Sequence, residues 1–152
     1  MAIGLLLLAP LLAPLAASAE ETTGNWLLDD GSGHTLGAMF FMRSDINSAS
    51  GLRLRLNAES TPMKLDHTHP LVLTDEDQQS WSLANLSEEL LINKRGAIPA
   101  GSAQYDAGCL NPLPSDNLAM QIMVPSSVGN LSFDLSPGQV QTMHSLMSAC
   151  AE

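Results

Sequence analysis

The sequence predicts a mainly β protein, an antiparallel β-sandwich or small barrel with a C-terminal α-helix and one short internal helix. Three observations carry this. Apolar and polar residues alternate with period two in several separate runs, as half-buried strands require. Clusters of Gly, Asp, Asn and Ser punctuate those runs about every 10–15 residues, and few helical patterns intervene. Near the C-terminus the period changes from two to 3–4, behind a helix start signal.

The chain begins with an uncharged stretch, residues 1–19, interrupted by Pro10 and Pro14 and ending Ala17-Ser18-Ala19. A short apolar run with a small-x-small ending is the pattern of a secretory signal, cleaved here after Ala19. Its positive start is missing; as a membrane span it is short and interrupted by two prolines, and an uncleaved anchor is the alternative reading. Residues 20–152 are then expected to form a single β-rich domain with no membrane span after cleavage. The protein is expected in the periplasm or secreted.

All 6 Lys+Arg and 16 Asp+Glu lie beyond the leader, giving a net charge of −10. Nucleic acid and anionic lipid both need clustered Lys/Arg, so neither is an expected partner. With 45% hydrophobic and 14% charged residues the chain is no acidic disordered tail.

Trp26-Leu27-Leu28 and the run from Thr35 are separated by Asp29-Asp30-Gly31-Ser32-Gly33, a hairpin signal. Leu36, Ala38, Phe40 and Met42 share one face of the second run; Thr35, Gly37, Met39, Phe41 and Arg43 share the other. After a turn at Asn47 to Gly51, Leu52, Leu54 and Leu56 alternate with Arg53, Arg55 and Asn57. Leu118, Met120, Ile122 and Val124 form another apolar phase. Ser126 to Asn130 turns the chain into Leu131, Phe133 and Leu135.

Two segments read as helix. Ser136-Pro137 is a favoured N-cap and first position, and Val140, Met143, Met147 and Cys150 then form one apolar stripe. The internal helix is expected over Ser87 to Gly96, with Ser87 as its N-cap, acids in its first turn, bases in its last and glycine after it; the run Leu90-Leu91-Ile92 also suits a strand.

Cys109 and Cys150 are expected to form one structural disulfide in an exported chain. No Cys-x-x-Cys redox motif is present. Met63, His67 and His69 form the candidate metal set. An extended strand places them on one face with Leu65, where two imidazoles and a thioether suit copper. Methionines in phase with Leu and Ile are more often core filler. Asp75-Glu76-Asp77-Gln78-Gln79 resembles the start of a calcium loop. It has Ser80 at the sixth position and Leu86 at the twelfth, so a solvated hairpin tip fits better.

Catalytic motifs are absent: there is no Gly-x-Ser-x-Gly elbow, no His-Glu-x-x-His and no phosphate-binding glycine loop. No enzyme and no cofactor are expected, copper being the alternative. A triad dispersed among His34, His67, His69 and His144 is the weakest reading. The sequons Asn85-Leu86-Ser87 and Asn130-Leu131-Ser132 are expected to be silent behind a leader of bacterial style.

The ending Leu131-Ser132-Phe133-Asp134-Leu135-Ser136-Pro137-Gly138, with its amphipathic helix and Ala149-Cys150, resembles the type VI secretion-associated accessory family. Gly24-Asn25-Trp26 and Trp81-Ser82 are similar to that family's tryptophan motifs. The strand–helix ending alone is similar to the invasion-associated locus B family. This chain departs from the secretion-associated pattern in having no cysteine in its first half. The resemblance implies a periplasmic, disulfide-bearing accessory protein and transfers no site residues. The expected function is therefore an exported, non-catalytic accessory protein with a protein partner in the bacterial envelope. The alternative is a periplasmic copper protein or chaperone using Met63, His67 and His69.

Overall fold

The alternating runs fold as strands. The computed structural model describes residues 24–44, 50–60, 63–91, 93 and 95–150; the leader expected over 1–19 and residues 47–49 of the second turn lie outside them. β1 (Asn25–Asp29) and β2 (Thr35–Arg43) form the first hairpin. Asp29 and Asp30 build its turn by accepting the N–H groups of Gly31 and Ser32, and Gly31 and Gly33 supply positive φ. β2 pairs with β3 (Gly51–Ala58), and β3 with β6 (Ser102–Asp106), completing one antiparallel sheet in the order β1-β2-β3-β6.

The second sheet takes β4 (Leu71–Asp75), β5 (Ser80–Leu83), β8 (Met120–Ser126) and β9 (Gly129–Asp134) in the order β5-β4-β8-β9. It too is antiparallel. The two sheets are stitched along one edge. The segment leaving β5 runs beside β6, where Leu86 N–H donates to the Gln104 carbonyl at 2.7 Å and Asp106 N–H to that of Ala84 at 2.9 Å. At the other edge β1 lies next to β9. The two sheets thus form a sandwich that is hydrogen-bonded together along the β5–β6 side.

The inward phase of every long strand meets in one core. Leu36, Leu54 and Leu56 of the first sheet and Leu71, Ile122 and Phe133 of the second belong to the same buried cluster. Trp26 packs edge-on against Phe40 with centroids 5.1 Å apart. Met42, in phase with Phe40, is instead 69% exposed. It stands near the end of β2 beside Gly51 and Leu146, at the rim rather than over the second sheet.

α1 (Pro137–Leu146) starts as expected. Ser136 Oγ accepts from Gln139 N–H, and Gln139 Oε1 accepts from Ser136 N–H, closing a capping box. Val140, Met143 and Met147 are buried, so the stripe is real as far as Met147. Its last step is not helical. The helix ends at Leu146, and β10 (Ser148–Ala149) runs parallel to β7 (Cys109–Leu110), bringing Cys150 to Cys109 in the expected disulfide.

The internal helix expected over Ser87 to Gly96 is a single 3-10 turn, Ser87–Leu90. Ser87 is not its cap. Its hydroxyl donates to Asn85 Oδ1 and accepts from Gln104 N–H, while Leu91 is extended and Asn93 has φ of 56°. Side-chain bonds to β6 outweigh helix propensity here. Residues 92 and 94 of that expected helix lie outside the described ones. Among the described residues no helix is long and apolar enough to cross a membrane.

Candidate functional site

Strand register sets out the outward side chains of the first sheet as a grid. Leu27, Gly37, Asn57 and Ser102 form one row; Asn25, Met39, Arg55 and Gln104 the next; Phe41, Arg53 and Asp106 a third. Three of the six basic residues, Arg43, Arg53 and Arg55, therefore point to the same side. The face divides into a locked half and an open half.

The locked half lies under the 3-10 turn. Glu89 Oε1 accepts from Arg53 Nε at 2.8 Å and from Gln104 Nε2 at 2.8 Å; Oε2 accepts from Arg53 Nη2 at 3.1 Å and pairs with Arg43. Burial alone would push the Glu89 carboxyl up, but the bonds from Arg53 and Gln104 and the charge of Arg43 hold it below the usual range. The same bond from Glu89 raises the Arg53 guanidinium against its own burial. Arg53 is 3% exposed although it stands on the outward phase, because this clasp covers it. Arg55 Nε and Nη2 both donate to Gln104 Oε1, and its guanidinium sits 5.0 Å over the Phe41 ring.

The open half centres on Gly37. This glycine is in mid-strand with no positive φ, where glycine costs about 0.5–1 kcal/mol relative to alanine. Such a residue marks a place where another group approaches the backbone closely. Here it floors a groove of about 350 Å³ walled by Leu27, Met39, Asn57 and Glu59. Leu27 is 58% exposed and Met39 36%, on a sheet face where apolar side chains have no neighbour to cover them.

The candidate metal set does not form the strand face expected of it. Met63 and Leu65 are buried in the core, but the chain bends after Leu65. Asp66 Oδ1 accepts from the N–H groups of Thr68 and His69, each at 2.7 Å, and Oδ2 accepts from His69 Nδ1 at 3.0 Å. His67 turns elsewhere and donates from Nε2 to the Ser102 carbonyl at 2.8 Å. The two imidazoles are engaged by different partners, and the extended geometry is overturned by an Asp-built turn. Among the described residues no group of three or more His, Cys, Asp or Glu is arranged to hold a metal ion.

Neither His34 nor His69 stands in a relay. Asp30 Oδ2 and Ser32 Oγ both approach Nδ1 of His34, at 2.7 and 3.3 Å, and Asp66 and Thr68 crowd Nδ1 of His69 in the same way. A Ser-His-Asp system needs hydroxyl and carboxylate on opposite ring nitrogens. Asp75 to Gln79 is the β4–β5 hairpin turn, with Asp75 Oδ1 accepting from Asp77 and Gln79 N–H. A 530 Å³ depression beside it is lined by Asp75, Glu76 and Asp134. Their carboxylates fasten the structure: Glu76 to Ala119 N–H, Asp134 to Gln121. Asn85 donates both amide hydrogens to the Asp66 and His69 carbonyls, which occupies the first sequon's nitrogen.

Glu89, Gly37 and Glu59 are the residues that pattern reading missed. Glycine in the middle of an alternating run was the one available signal.

A family model described as protein of unknown function, DUF3122, matches residues 22–142, and the chain belongs to that family. Among curated proteins and among solved structures, none matches.

Proposed function

We propose that this member of the DUF3122 family is an exported, non-catalytic accessory domain of the bacterial envelope that works by binding another protein through the outer face of its first sheet. The observation that carries this reading is the open groove over Gly37, flanked by exposed Leu27 and Met39 beside a rigid charged clasp. A fixed network next to exposed apolar anchors is how an interface limits its ordering cost. The disulfide supports an oxidising compartment. The family match starting at residue 22 fits a domain that begins just after a leader ending at Ala19. The paired groups on one ring nitrogen of His34 and of His69 favour a non-catalytic role. The resemblance to the type VI secretion-associated accessory family motivates the envelope assignment.

The test is affinity capture from cross-linked envelope fractions with three baits. Wild type and a Thr74→Glu variant, altered on the other sheet, are expected to retain the same partner band. A Leu27→Glu/Met39→Glu variant is expected to lose it. Retention by that variant, with native circular dichroism, rejects the face.

A further inference from the structure

We propose that the groove over Gly37 receives a lysine side chain from a basic partner protein; this rests on the interaction reading above and names its chemistry. Glu59 carries the argument. Its Oε1 lies 2.8 Å from where a Cβ on Gly37 would stand, so the carboxylate lies directly over the bare glycine backbone. The Glu59 backbone is anchored there, its N–H donating to the Thr35 carbonyl at 2.9 Å. Among the described residues the carboxylate itself has no hydrogen-bond or ion-pair partner. Arg55, the nearest cation in the register, is turned away onto Gln104 and Phe41.

The groove therefore offers an exposed carboxylate above its glycine floor and apolar walls beside it. Leu27 and Met39 suit an aliphatic stem, and Glu59 suits an ammonium. Asn57 Oδ1 accepts one bond, from Ser102 Oγ at 2.7 Å, and keeps a second lone pair for another donor. A compact ammonium with three donors matches separated oxygens of this kind. The planar fork of arginine prefers two parallel acceptors. The chain's net charge of −10 steers a basic partner towards the molecule and repels an acidic one.

The experiment is titration of the ¹⁵N-labelled domain with Nα-acetyl-lysine amide at low salt, read by amide shifts. Nα-acetyl-norleucine amide serves as the uncharged control and Nα-acetyl-arginine amide as the competing cation. Saturable shifts at Leu27, Gly37 and Asn57 are expected with lysine, larger than with either control. Glu59→Gln is expected to weaken them by roughly 1.5- to fivefold, the range for one exposed ion pair. The same spectra show whether that variant is folded. Absence of shifts up to about 50 mM probe, well above millimolar affinity, overturns the proposal. So does an unchanged response in Glu59→Gln, an equal response at the acidic tip Asp75 to Asp77, or a stronger response to arginine. A lysine failure with capture still lost in Leu27→Glu/Met39→Glu rejects the lysine chemistry and leaves the interacting face. A lysine response with capture unaffected supports the groove and rejects the accessory role.

Discussion

Glu89 grips Arg53 with both carboxylate oxygens, at 2.8 and 3.1 Å, across 36 positions of sequence. That bidentate pair fastens the 3-10 turn onto β3 and, through Gln104, onto β6. It explains how an arginine on the solvent phase of a strand comes to be 97% covered, from its 3% exposure. Removing one partner strands a desolvated charge, which costs more than the intact pair contributes.

Glu89→Gln is accordingly expected to destabilise the fold by about 3 kcal/mol in urea unfolding. Arg53→Lys should lose a large part of that, because an ammonium cannot span both oxygens. A loss below about 0.5 kcal/mol for Glu89→Gln would place the pair among ordinary surface bridges.

Acid should unfold the protein through Asp66 and Glu89. The N–H groups of His69 and Thr68 hold the Asp66 carboxyl well below the usual range, and Arg53, Gln104 and Arg43 hold Glu89 below it against burial. Groups depressed in the folded state stabilise it fully above the unfolded value, near pH 4, and lose that contribution as pH falls through the folded value. Melting temperature should therefore be flat from pH 7 to about 5 and fall below about 4. Asp66→Asn should melt lower at neutral pH and show a shallower acid limb. A melting temperature constant to pH 2 contradicts this.

Reducing Cys109–Cys150, or replacing both by serine, should lower stability by about 2–4 kcal/mol, since the bond closes a separation of 41 residues. Hydrogen exchange should show β10 losing protection first. The capping box and buried Val140 and Met143 keep α1 in place. Melting of α1 together with β10 would show that the helix depends on the bond.

Isothermal titration with Cu(I) and Cu(II) should give no binding tighter than micromolar, since His67 and His69 serve the Ser102 carbonyl and Asp66. A submicromolar site removed in the His67→Ala/His69→Ala variant would restore the copper reading.

What could be read in advance was local. Leu36, Ala38 and Phe40 alternate because one sheet face is buried, and Ser136-Pro137 starts a helix because its side chain satisfies free N–H groups. The Cys pair followed from having two thiols. What escaped depended on distant partners. Ser87 looked like a cap, but Asn85 and Gln104 claimed its hydroxyl. His67 and His69 looked co-facial until Asp66 folded the chain around its own carboxylate. Gly37 interrupted an apolar–polar run visibly, yet the groove above it exists because Glu59, more than twenty positions later, leans over it.

The most direct test of the account is photo-cross-linking in growing cells from a benzophenone side chain placed at Leu27 and, separately, at Ser82 on the opposite sheet. The account predicts one discrete protein adduct from position 27, absent from position 82 and lost when Met39→Glu is added. Adducts from position 82 alone, or the same adduct from both positions, would contradict an interacting face on the first sheet.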